Sequence, residues 1–134
     1  MKVQNLTKKY ADKIVLDGVS IEFPEKSVIS LIGPNGAGKS TLMGIISRLL
    51  ERSSGAAVFK GMDLKKWKSS ELAKELSILT QSHNVQMKLT VRELVAFGRF
   101  PYSAGRLTEE DCKIVDRAIS YMELKDFQNQ FIDE

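Results

Sequence analysis

The residues with the clearest chemical purpose lie in one run, Gly33-Pro34-Asn35-Gly36-Ala37-Gly38-Lys39-Ser40-Thr41. Apolar Val28-Ile29-Ser30-Leu31-Ile32 leads into it and Leu42-Met43-Gly44-Ile45-Ile46 leads out. A glycine, four residues, then Gly-Lys-Ser is the spacing of a loop that holds phosphate between a strand and a helix. Glycine has no Cβ, so the backbone can double back and aim successive N–H groups at one anion. A helix starting near Lys39 adds its unsatisfied amides and the positive end of its dipole at the same point. Lys39 can then reach the outer phosphates, and the Ser40 hydroxyl is placed to hold Mg2+.

The elements that must position this loop read as follows. Val3 to Tyr10 and Ile14 to Phe23 are two strands around the polar turn Ala11-Asp12-Lys13. In the second, Val19, Ile21 and Phe23 alternate with Ser20 and Glu22, the period of a half-buried strand, and Pro24-Glu25-Lys26 ends it. Val28 to Ile32 is the strand that feeds the loop. The helix after the loop runs from about Lys39 to Leu50 and stops in Glu51-Arg52-Ser53-Ser54-Gly55, where Gly55 suits a turn. Ala57-Val58-Phe59 is a short strand closed by Lys60-Gly61-Met62-Asp63, followed by a polar helix around Ser70 to Glu75 and a buried strand, Leu76 to Thr80.

The remainder has a helical pattern. Thr90-Val91-Arg92-Glu93 is arranged as a capping box that opens a helix through about Phe97. Gly98-Arg99-Phe100-Pro101-Tyr102 breaks it. Thr108-Glu109-Glu110-Asp111 starts another helix with acids in its first turn, whose apolar face is Ile114, Val115, Ala118, Ile119 and Met122. Leu124 to Glu134 drifts into a polar end, and the chain has no repeat, low-complexity tract or linker.

With 134 residues, 43% of them hydrophobic, one core is the expectation. The formal charge of +3 is carried by scattered lysines with no aromatic-interleaved basic patch, which reads as a solvated surface and not a nucleic-acid footprint. Cys112 is the only cysteine, so no internal disulfide forms and a reduced, cytosolic compartment fits. Met1 to Leu6 lacks the apolar core of a signal peptide, and no apolar run approaches the roughly 20 residues of a membrane span. Direct membrane insertion is not expected.

Once the loop is placed, the chain resembles, from end to end, the nucleotide-binding subunit of ATP-binding-cassette (ABC) transporters. The form Gly-Pro-Asn-Gly-Ala-Gly-Lys-Ser-Thr is more particular than the general phosphate-loop pattern, and its distance to Gln81 fits the family. The resemblance implies an α/β P-loop NTPase fold with an N-terminal antiparallel β portion and the start of a helical subdomain. Residues 1–134 would be the N-terminal part of a single ABC ATPase domain. Within it, 1–81 would be the nucleotide-binding core and 82–134 part of the helical subdomain. It also implies ATP and Mg2+ as cofactors. Gly33, Pro34, Asn35, Gly36, Ala37, Gly38, Lys39, Ser40 and Thr41 would cradle the phosphates, and Tyr10, at the end of the first strand, would stack on the adenine.

Gln81 looks like the family's Q-loop glutamine, which contacts the magnesium ion and the attacking water. Its neutral amide oxygen can enter or leave a metal shell without moving net charge. Lys39 and Gln81 are thus the implied catalytic pair, with Ser40 and Gln81 at the metal. His83, the only histidine, reads as a solvated loop residue. The segment Leu94 to Tyr102, then Gly105-Arg106, is similar to the Gly-Arg-x-Pro stretch of ATPase subunits serving iron-siderophore, haem and cobalamin importers. This implies a subunit that couples ATP hydrolysis to iron-siderophore import. It would dock transmembrane permease subunits through the Gln81 to Tyr102 region, pair with a second copy of the ATPase subunit, and sit peripherally at the cytoplasmic face of the cell membrane.

The family's Leu-Ser-Gly-Gly-Gln signature, its apolar strand ending in Asp-Glu and its switch histidine have no match in the chain. Phe131-Ile132-Asp133-Glu134 looks like the approach to that signature. The expectation is a fragment without competent hydrolysis of its own; the alternative is a nucleotide-binding or interaction module without turnover. Val28 to Ile32 would then lack its usual neighbours, leaving an edge that associates or a chain that is only marginally folded.

Overall fold

Alternation of apolar and polar residues produces the expected hairpin, β1 (Lys2–Tyr10) against β2 (Lys13–Glu22), antiparallel from Lys2↔Glu22 to Tyr10↔Lys13. The computed structural model describes residues 1–79 and 88–132. The chain divides into two compact units, Met1–Leu72 with Leu76–Ile78, and Ala73–Glu75 with Leu79–Glu134.

In the first unit, β1 also pairs with β3 (Ser54–Phe59), and β3 with β4 (Met62–Asp63), giving a four-stranded antiparallel sheet in the order β2-β1-β3-β4. Lys60-Gly61, expected only to close a strand, is a two-residue turn with both φ values positive (48° and 77°), the geometry that joins twisted strands. Gly55 is not in a turn but inside β3 at φ 83°, where a Cβ would stand 2.3 Å from the Asn5 carbonyl oxygen. The register of β1 against β3 shifts at the same place, between Gln4 and Thr7.

Val3, Leu6, Leu16 and Ala57 from the sheet close over Leu42 and Ile45 of α1 (Lys39–Ile46), together with Leu64 and Leu72. Burying a side chain of this size is worth about 1.5–3 kcal/mol. Helix α1 ends at Ile46 and not at Leu50. Arg48 turns left-handed at φ 61°, the Leu50 N–H donates to the Gly44 carbonyl at 2.9 Å, and the Leu50 side chain folds back onto Gly44. A Cβ on Gly44 would meet Leu50 Cδ1 at 2.7 Å, so the bare glycine makes room for this reversal.

Two expected strands do not form among the described residues. Residues 27–34 have no regular structure, with Val28 99% and Ile32 94% exposed, and Leu76 to Leu79 is likewise irregular. Apolar composition suits a strand, but a strand exists only where a neighbour takes its N–H and C=O groups. Neither segment pairs with another among the described residues. Thr80 lies outside the described residues. Helix α2 (Ser69–Glu75) follows the polar pattern expected of it.

The second unit contains α3 (Val91–Phe97), α4 (Phe100–Ser103) and α5 (Glu109–Tyr121). The Thr90–Glu93 capping box forms as expected, and Thr108 and Asp111 make a second. Gly98 keeps a right-handed helical backbone, and Phe100 to Ser103 forms one helical turn with Pro101 in its first positions, where no amide is needed. The face that α5 buries is Asp111, Val115 and Ile119; Ala118 and Met122, expected on it, are exposed. A tail strand segment returns to the start of α3 through Val91 N–H to Gln130 O (3.0 Å) and a bridge between Thr90 and Phe131.

Candidate phosphate-binding site

The loop 33–38 reaches α1 through two left-handed glycines, Gly36 at φ 81° and Gly38 at φ 85°. Their surroundings differ. A Cβ on Gly36 would meet nothing within 4 Å, whereas one on Gly38 would lie 2.7 Å from Leu16 Cδ2 and 3.0 Å from the Val15 carbonyl oxygen. Gly38 is therefore the point where the loop rests on β2, and its position depends on the core residue Leu16.

The amides that could serve an anion are unspent. Apart from Ala37, whose N–H donates to Pro34 O at 3.3 Å, no amide from Asn35 to Thr41 donates to an acceptor among the described residues. The first turn of α1 carries no acidic residue. Its free N–H groups and dipole therefore present net positive character. The Lys39 ammonium folds back over the loop, donating to Gly33 O at 2.6 Å and Pro34 O at 2.8 Å. Those bonds hold the charge beside the amides, and the exposed Ser40 hydroxyl has no partner among the described residues.

Tyr10 closes β1 at the hairpin, 44% exposed, with the Lys8 ammonium 4.7 Å from its ring centroid. The register sets Lys8 opposite Leu16, the residue that backs Gly38. Tyr10 and the residues on which Gly38 rests thus lie toward the same, turn end of the hairpin. Sequence reasoning missed Lys8 and Leu16. The i, i+2 spacing of Lys8 and Tyr10 on a strand is the signal that could have found the first. Gln81 and His83 lie outside the described residues.

In the second unit, Arg99 points inward. Its Nε donates to Asp111 Oδ1 at 2.7 Å, and its guanidinium lies 4.0 Å from the Tyr102 ring centroid. The Tyr102 hydroxyl donates to Lys74 O at 3.2 Å. Asp111 also accepts from the Thr108 amide and hydroxyl, at 3.0 and 2.8 Å. The Thr108 amide first, then the Arg99 hydrogen bond, hold the Asp111 carboxyl down at about 2. Phe100 and Tyr102 remain 58% and 51% exposed, and thus available to a partner as Arg99 is not.

A family model described as ABC transporter matches residues 16–134. This chain belongs to the ABC transporter family. Among curated relatives, the petrobactin import ATP-binding protein YclP of Bacillus subtilis (strain 168) is 46% identical over 134 residues, covering all of this ABC chain and 53% of YclP. The iron(3+)-hydroxamate import ATP-binding protein FhuC of the same organism is 34% identical over 126 residues, covering 92% of the chain and 47% of FhuC. The solved structure of cbiO1 from Clostridium perfringens, part of the ABC transporter complex cbiONQ, matches with a TM-score of 0.78 at 27% identity, over 97% of this chain and 53% of that one. The chain spans about half the length of the curated relatives it matches. Its fold is the α/β P-loop NTPase fold of ABC ATPases, with the antiparallel β portion expected, and membership in this family implies nucleotide binding. No helix among the described residues is long and apolar enough to cross a membrane.

Proposed function

We propose that this chain is the phosphate-gripping part of the ATP-binding subunit of an ABC importer, one that couples ATP hydrolysis to uptake of an iron-siderophore. The observation that carries the reading is the set of amides from Asn35 to Thr41 that, Ala37 excepted, have no acceptor among the described residues, with the Lys39 ammonium folded beside them. Gly33 to Thr41 would wrap the phosphates, Lys39 would neutralise the charge on the outer ones, and Tyr10 would cover the adenine. The Ser40 hydroxyl, unpartnered among the described residues, fits a ligand of Mg2+, with Gln81 as the second. The siderophore as substrate rests on the names of YclP and FhuC.

The permease would meet the region from Gln81 to Tyr102, where Phe100 and Tyr102 offer exposed aromatic surface of the kind enriched in interfaces. A second copy of the subunit would complete each ATP site, and the assembly would sit at the cytoplasmic face of the membrane through the permease.

Calorimetric titration with ATP tests the grip. Lys39→Ala is expected to weaken binding at least tenfold, since a charge-assisted hydrogen bond contributes about 1.5–3 kcal/mol; unchanged affinity would overturn it. For the substrate, the chain can replace the matched half of YclP in cells that depend on YclP for iron-petrobactin uptake. Restored uptake, abolished again by Lys39→Ala, is the expected result, and failure of a well-expressed chimaera would remove the siderophore assignment.

A further inference from the structure

We propose that Lys8 is a positioning residue for the purine, its ammonium backing one face of the Tyr10 ring so that the other face is held ready for the base. The inference rests on the reading of Tyr10 as the residue that covers the adenine, and deepens it by assigning a role to a second side chain.

Three observations carry it. The Lys8 Nζ stands 4.7 Å from the Tyr10 ring centroid, within the range of a cation–π contact. Lys8 has no carboxylate partner among the described residues, so the aromatic ring is the interaction it makes. Its cross-strand partner is Leu16, which backs Gly38, so Lys8 and Tyr10 are anchored to the same strand pair that seats the phosphate loop.

Two physical effects follow from a cation on one face. The ring loses rotational freedom before any ligand arrives, which lowers the ordering cost of stacking. The ammonium also draws π density toward itself, so the opposite face meets the π cloud of a purine with less repulsion. Both effects act on the base alone. A lysine that merely attracted the nucleotide by charge would act on the phosphates instead, whether or not a base was attached.

Calorimetric titrations of this chain with ATP and with inorganic tripolyphosphate separate these cases. Lys8→Gln is expected to weaken ATP binding about two- to fivefold, the size of an exposed cation–π contact, and to leave tripolyphosphate binding unchanged. Lys8→Arg should retain ATP affinity, and Lys8→Gln should have no further effect in a Tyr10→Ala background. Unchanged tripolyphosphate binding also shows that each variant is folded. Parallel losses for both ligands would make Lys8 a plain charge contact and overturn the proposal. Loss with Tyr10→Ala but none with Lys8→Gln would overturn it while sparing the role of Tyr10. No loss with Tyr10→Ala would sink that role, and this proposal with it.

Discussion

The Cδ2 atom of Leu16 lies where a methyl group on Gly38 would come within 2.7 Å, so strand and loop touch with no room for a side chain between them. Gly36, two residues earlier and equally left-handed, faces open space. The pair separates the two reasons a phosphate loop uses glycine. Gly36→Ala should cost only the left-handed penalty, about 1–2 kcal/mol. Gly38→Ala adds overpacking against Leu16 and Val15 and should cost about 2–5 kcal/mol. Urea unfolding of both variants checks this, and equal losses would show that the contact at Gly38 relaxes freely.

Acid should loosen the second unit through Asp111. Its carboxyl titrates at about 2 in the folded chain against an ordinary value of 3.8. A lowered folded value means the stabilisation is complete above the unfolded pKa and disappears as pH falls from near that value toward 2. Asp111→Asn cannot titrate, so its stability is expected to fall less than that of the wild type between about pH 6 and about pH 3. Denaturant midpoints at those two pH values, followed by helical circular dichroism, make the comparison. Identical falls would mean that other carboxylates carry the acid sensitivity.

Val28 and Ile32 should drive self-association. Both are almost fully exposed in a stretch without regular structure that pairs with no strand among the described residues, the condition under which backbone and apolar side chains find a second chain. Replacing both with lysine is expected to shift the chain toward monomer in sedimentation equilibrium without lowering its melting temperature. A wild-type chain that is already monomeric and melts cooperatively would contradict this.

Features written in local chemistry are readable in the sequence itself. The hairpin followed from alternation around Val19, Ile21 and Phe23, and the start of α3 from Thr90 and Glu93, because a cap and a two-residue period involve only near neighbours. The glycine turn ahead of α1 and the helix start at Lys39 are legible for the same reason. Features that depend on a distant partner are not. Val28 to Ile32 and Leu76 to Leu79 have strand composition but no partner strand among the described residues. Gly55 looked like a turn residue because nothing nearby in sequence reveals the Asn5 carbonyl pressing on it. Arg99 lies in the Gln81 to Tyr102 region expected to dock a permease, and its use on Asp111 follows only from the placement of α5.

Helix α1 has eight residues, far short of what a helix needs to persist alone in water. It exists because Leu42 and Ile45 are clamped beneath the sheet, and the first turn that would receive an anion exists only while they are. Lesions at Val3 or Leu6, which touch no ligand, will therefore surface in any affinity screen disguised as defects in recognition. Conversely, a tightly held anion will rescue a damaged sheet, so the residues such a screen ranks as most important for binding will include some of the farthest from the ligand.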